Sequence, residues 1–327
     1  MKKDIPESTV LADVPPVWKS GLTSFHAHVA RLSMNMYPVQ DLGPAVDESY
    51  EFASSVRPLM EYAEGDSVNL RGICDFLSSP DVNVQCVALQ LLEHAAEWEN
   101  TKFTQCMSET FGPVAELVLN SRDIQVHCAA LDTLKLFLAS PRAIDIVKSM
   151  IPRGVVDVVS TDLNSTEPLV QLASVELLDA ASQSKEILVE FVAAVSLISR
   201  LLPSMLPATQ VTALRVLEIS AGSGTHELIK VVANTFHYLI QPLSSPEITV
   251  QIAALKVVEV SAGTKNHELA CAVKTILPVL MKIMSSGETD VQSAVRKVLE
   301  AGAQPQWKLA RVLLNSSVGW TAILSAL

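Results

Sequence analysis

The chain has 327 residues, of which 49% are hydrophobic and 18% charged, with a formal net charge of −11. No run approaches the ~18 to 20 uncharged apolar residues that a membrane span requires. An acidic chain without a basic run is also poorly suited to neutralising phosphates, which argues against nucleic acid and anionic membrane surfaces as partners.

Residues 1 to about 15 are polar and proline-bearing. MKKDIPESTVLADVPPVWKS has acids and prolines where a signal peptide needs an apolar run, so the expected location is the cytoplasm or the nucleus. VWKSGLTSFHAHVARLSMNM, Val17 to Met36, can form a helix with a weak point at Gly21. His26 and His28 fall on different faces of it and make no ligand pair. Residues 1–40 therefore read as a tail and helix, and 41–327 as one continuous repeat domain. Two or three helices of an irregular first repeat are expected between Pro44 and Leu77.

One phrase then recurs. VQCVALQLLEHA from Val84 returns as VHCAALDTLKLF from Val126 and VQLASVELLDAA from Val170. It appears again as TQVTALRVLEIS from Thr209, VQIAALKVVEVS from Val250 and VQSAVRKVLEAG from Val291. Successive anchors are 42, 44, 39, 41 and 41 residues apart. A period near forty with one helix repeated in each unit predicts an all-α fold, a right-handed α-solenoid of armadillo or HEAT-like repeats. Clear repeats cover about 78–303, with atypical caps at either end; WKLARVLLNSSVGWTAILSAL can supply part of a seventh repeat.

Counting from each anchor as zero, position four is Ala88, Ala130, Ser174, Ala213, Ala254 and Val295. Positions seven and eight are almost all aliphatic. These form the predicted buried stripe, in which a small residue lets neighbouring helices approach. Turns rich in Ser, Asn and acids precede each repeated helix and suit its N-terminus. Gly222 and Gly263 are expected to end helices in the left-handed conformation. Gly112 and Gly154 are expected to break a short helix from a second apolar one, as in a three-helix armadillo unit, with later units drifting towards two-helix HEAT repeats. Cysteines at 74, 86, 106, 128 and 271 make neither a disulfide framework nor a zinc cluster.

In such a stack the third helices line the concave surface, so their exposed positions are the candidate binding site. Position six reads Gln90, Asp132, Glu176, Arg215, Lys256 and Lys297. Position nine reads Glu93, Lys135, Asp179, Glu218, Glu259 and Glu300. A single charge is most simply a solvated face, but same-position ladders predict a groove acidic through its middle and suited to a basic protein segment. Armadillo nuclear import receptors carry Trp at position six and Asn at position ten, a pattern this chain lacks throughout. Positions two and ten are largely apolar and either anchor a partner helix or pack against the adjacent repeat. No phosphate loop occurs, and His226-Glu227 and His267-Glu268 lack the second His of a zinc protease. No catalytic residue, cofactor or metal ligand is expected, and the protein reads as a monomeric non-enzyme.

SPDVNVQCVALQLLEHA through DIQVHCAALDTLKLFLASP to PLVQLASVELLDAAS, with the ending AQPQWKLARVLLNSSVGWTAIL, resembles the 26S proteasome non-ATPase regulatory subunit 5 family. Members are assembly chaperones for the base of the proteasome's regulatory particle. The resemblance implies that the solenoid surface binds the C-terminal domain of an ATPase-ring subunit, without catalysis. Two alternatives stay open: a nucleotide-exchange factor for a heat-shock chaperone ATPase, and a general peptide-binding scaffold or adaptor.

Overall fold

A computed structural model of the protein describes residues 70–97, 101–140, 148, 150–151, 153–286 and 288–303. The expected helix at Val17–Met36, most of the irregular first repeat and the C-terminal part-repeat lie outside the described residues. Thirteen α-helices and no strand occur among the described residues. They fall into two packing units, Met1–Thr133 and Leu134–Leu327.

In the first unit, α1 (Leu70–Leu77), α2 (Val82–Glu97) and α3 (Thr101–Asn120) pack on one another, and α4 (Ile124–Ala139) carries the chain across the boundary. In the second, α5 (Arg153–Asp162) is followed by α6 (Pro168–Ala181), then by α7 (Lys185–Glu190) and α8 (Val192–Leu201). The remaining helices are α9 (Pro207–Gly222), α10 (His226–Leu243), α11 (Ile248–Gly263), α12 (His267–Ser286) and α13 (Thr289–Ala303). The repeated phrase forms α2, α4, α6, α9, α11 and α13. Within the second unit α6, α9, α11 and α13 stack in series, and α8, α10 and α12 form a second series behind them.

The predicted stripe is the core. All six position-four side chains are 0% exposed, and position eight is buried in every repeat. Position seven is buried except at Leu91, which is half-buried. Position five belongs to the core in five of the six repeats: Leu89, Leu131, Val175, Leu214 and Leu255 are buried, and Arg296 of the last is exposed. A helix sandwiched between the repeats on either side and the second layer behind must bury more than a single stripe, which widens its apolar arc.

Glycine does different work from that expected. Gly222 and Gly263 are the last residues of α9 and α11 and are helical; the left-handed glycine is Gly224, at φ 76°. A Cβ on Gly222 would meet Val260 Cγ1 at 3.4 Å, and one on Gly263 would meet Ala301 Cβ at 3.9 Å. At both glycines the next third helix lies at ordinary van der Waals distance, so a methyl group would fit there. Gly112 breaks nothing: α3 runs through Gly112 and Pro113 for 20 residues, held by buried Phe111, Val114, Ala115 and Val118. Pro113 cannot bond to the carbonyl of Glu109 four residues back, and the Cys74 thiol donates to that oxygen at 3.7 Å. Gly154 lies in the first turn of α5, beyond non-helical Ile151. Among the described residues α7, α8 and α9 make a complete three-helix repeat, whereas α10 and α12 each fill their repeat alone, as expected of the later units.

The Val-Gln anchor has a mechanical explanation. Gln85, Gln171 and Gln210 each donate from Nε2 to a leucine carbonyl eight residues earlier, Leu77, Leu163 and Leu202. Gln251 donates instead to Ser245, six residues back, at 2.7 Å, and Gln85 also reaches the equivalent Ser79 at 2.8 Å. In these turns the hydroxyls of Ser79, Ser121, Ser165 and Ser245 accept the N–H two residues on. The glutamine thus satisfies carbonyls left over at the end of the second helix and straps it to the third. Leu or Met stands eight residues, and Ser six, before position one in all six repeats.

Candidate functional site

The third helices supply the side chains at positions six and nine. In the first packing unit, Gln90 and Glu93 lie half-buried on α2 and Asp132 half-buried on α4. In the second, the two positions do not form separate ladders. Lys135 Nζ lies 2.6 Å from Glu176 Oε2, and Arg215 Nε lies 3.3 Å from Asp179 Oδ1. Position nine of one helix therefore meets position six of the next. The glycine contacts obey the same rule, position thirteen (Gly222, Gly263) meeting position ten (Val260, Ala301). From α4 to α13 each third helix is thus offset from its predecessor by three residues, about 4.5 Å along the axis.

The chain contained a signal for this offset. Read diagonally, Lys135/Glu176, Asp179/Arg215, Glu218/Lys256 and Glu259/Lys297 are all opposite in sign. Only the first step, Glu93 to Asp132, breaks the rule. Reading down each column, as repeat alignment invites, hides these pairs. The last two do not close to an ion pair among the described residues: Glu218 and Glu259 are half-buried, while Lys256 and Lys297, with Glu300 beyond them, stand exposed. Positions two and ten are mostly half-buried, and the Gly222 and Gly263 contacts show position ten packed against the preceding repeat.

Lys135, Glu176, Asp179 and Arg215 line one open cavity of about 530 Å³, with Gln183 and Thr212 at its margin. Asp179 is its unusual member. Its Oδ1 is buried and accepts no hydrogen bond, because the nearby Arg215 N–H is misaligned despite the short distance. Burial pushes the Asp179 carboxyl above its usual range; Arg215 pulls it down and Glu176 pushes it up. The site therefore contains an acceptor in low dielectric without a donor, an expensive arrangement unless something else supplies one.

His226 and His267 are the first residues of α10 and α12, and both are exposed. Among the described residues, no group of three or more His, Cys, Asp and Glu could hold a metal ion, and no helix is long and apolar enough to cross a membrane.

No protein-family model matches the chain, and no curated protein matches its sequence. Solved structures do match. A designed armadillo repeat protein in complex with peptide (KR)4 is 19% identical, with a TM-score of 0.61 over 72% of this chain and 100% of its own. Computationally designed armadillo repeat proteins for modular peptide recognition give 20% identity and 0.61 over 71% of this chain and 99% of theirs. An engineered protein gives 22% identity and 0.63 over 93% of this chain and 80% of its own. The fold is an α-solenoid of armadillo type.

Proposed function

We propose that the chain is a non-catalytic protein-binding scaffold that receives a Lys or Arg side chain of its partner beside Asp179. The observation that carries this reading is the buried Asp179 Oδ1 that accepts no hydrogen bond, at the wall of an open cavity. An incoming ammonium or guanidinium brings the aligned donor that the oxygen lacks, beside the charge that Arg215 already places 3.3 Å away, and charge-assisted bonds of this kind are the strong ones. Glu176, paired with Lys135, adds a second carboxylate in the same cavity, and half-buried Glu218 and Glu259 carry the equivalent acid on the next helices. That an armadillo protein of similar fold was solved with the peptide (KR)4 makes this peptide a suitable first probe.

The test is fluorescence anisotropy of labelled (KR)4 with the full chain and with Asp179→Asn. Loss of a hydrogen bond to a charged group, about 1.5–3 kcal/mol, corresponds to roughly a 10- to 150-fold weaker Kd. Equal affinities, or no binding by the native chain, would overturn the assignment.

The sequence resemblance to the proteasome regulatory subunit 5 family supports a narrower form of the proposal. The basic segment then belongs to an ATPase-ring subunit of the proteasome's regulatory particle, and the chain acts as an assembly chaperone in the cytoplasm or nucleus. Pull-down from the native host with mass spectrometry tests it. Proteasomal ATPases are the expected catch, whereas chaperone ATPases would favour the nucleotide-exchange alternative and absence of both the general scaffold.

A further inference from the structure

Large aliphatic side chains exposed among the described residues are not scattered. Leu206 is 57% exposed, Ile240 42%, Leu169 37% and Ile248 36%, all in the second packing unit. All four border the turn that joins a second helix to a third. Ile240 lies in the last turn of α10, Ile248 opens α11, Leu206 immediately precedes α9, and Leu169 is the second residue of α6. A fifth, Ile124, is the first residue of α4, an equivalent place. Single exposed aliphatics need no explanation, but their gathering at the start of successive third helices, one to three residues before the anchor at Leu169, Ile248 and Leu206, does. Because α6, α9 and α11 run parallel with a constant offset, their N-terminal ends lie along one edge of the unit, spaced about 8–10 Å apart.

This edge also carries uncommitted charge. Glu167 and Glu247 precede α6 and α11 at the N-cap position, yet neither side chain makes a capping hydrogen bond, and both are exposed. Glu288 and Asp290 add two exposed acids at the start of α13, against Arg200 and Lys282 near the ends of α8 and α12. The edge is a row of aliphatics with an acidic rim.

We propose that it docks an amphipathic helix of a partner protein, with aliphatic residues on the face meeting Leu169, Leu206 and Ile248 and Lys or Arg on its flanks. The spacing sets the pattern. Seven residues of α-helix rise about 10.5 Å, close to the step between stacked helices, so the partner's aliphatics recur at i, i+7 and i+14. The surface is distinct from the cavity at Asp179, and the proposal stands or falls separately from the function assigned to that cavity.

The experiment uses a labelled 18-residue Lys/Leu helix with that spacing and a scrambled peptide of the same composition, measured by anisotropy against the full chain. The scrambled peptide separates patterned docking from general attraction to an acidic protein. Leu206→Ser combined with Ile248→Ser should weaken binding of the patterned peptide about tenfold or more, while Asp179→Asn leaves it unchanged. Both aliphatics are exposed, so the double variant should melt as the native chain does. Equal binding of patterned and scrambled peptides, no binding, indifference to the double substitution, or an equal loss in Asp179→Asn would each overturn the proposal. So would a dimer in sedimentation that the double substitution dissociates, since the edge would then serve a second copy.

Discussion

Gln210→Met tests whether the glutamine strap holds a repeat together. Gln210 is 5% exposed, and its Nε2 donates to the Leu202 carbonyl at 2.8 Å. Methionine keeps the length and flexibility of the side chain and removes the donor. An acceptor left unsatisfied in the interior costs about 1–3 kcal/mol. Leu202 O retains a second donor, the Met205 N–H at 3.4 Å, so the lower part of that range, about 1–2 kcal/mol, applies. Each kcal/mol moves Tm by about 2–4 °C in a domain of 150–250 residues, which gives a fall of about 2–8 °C. Circular dichroism melting measures the shift. Hydrogen exchange should locate it between α8 and α9, because repeat arrays distribute stability between neighbours. Gln251→Met, at a less buried position, should lose less. An unchanged Tm together with unchanged exchange over 202–210 would refute the strap.

Two further outcomes follow from titration. Since burial raises the Asp179 carboxyl, the folded chain holds that proton more tightly than the unfolded one. Its contribution to stability therefore falls as pH rises from the ordinary carboxylate range through the raised value. Asp179→Asn should raise Tm at pH 7 and leave it unchanged near pH 3, where both forms are neutral; a lower Tm at pH 7 would mean that the Arg215 pair outweighs burial. The Cys86 thiol is pushed up to about 11 by burial, with Asp123, Glu93 and Asp81 adding to it. At pH 8 only on the order of one in a thousand such thiols is ionised. Iodoacetamide followed by mass spectrometry should leave Cys86 intact in the native protein and modify it in guanidinium, and native labelling at a free-thiol rate would contradict its burial.

Period, helical content and the small residue at position four were legible because six copies of one helix repeat the same constraint. What escaped were features that no single copy contains. The offset of three residues arises where two helices meet, so Asp179 and Arg215 look unrelated until neighbouring repeats are compared diagonally. Gly222 does end its helix, but in helical conformation, and the left-handed role falls two residues on, at Gly224. Gly112 looked like a break, yet tertiary burial of Phe111, Val114 and Val118 outweighs the local weakness of Gly-Pro in a helix. The ladders of positions six and nine were visible as charges; that two pairs neutralise one another and leave one carboxylate oxygen without a donor depends on geometry alone.

The glutamine strap also governs where the chain can change length. From the leucine or methionine to position one, a glutamine in five copies and His127 in the second, the count is eight residues every time, whereas the anchors are 39 to 44 residues apart. That variation lies upstream of the joint and includes the second helix itself, which is 20 residues long as α3, 10 as α8 and 18 as α10. The strapped joint behaves as a part of invariant size, while the stretch before it absorbs insertions and losses. Anyone adding or removing a repeat should therefore cut near Gly224, where the backbone already tolerates a turn, and leave Leu202 to Gln210 whole.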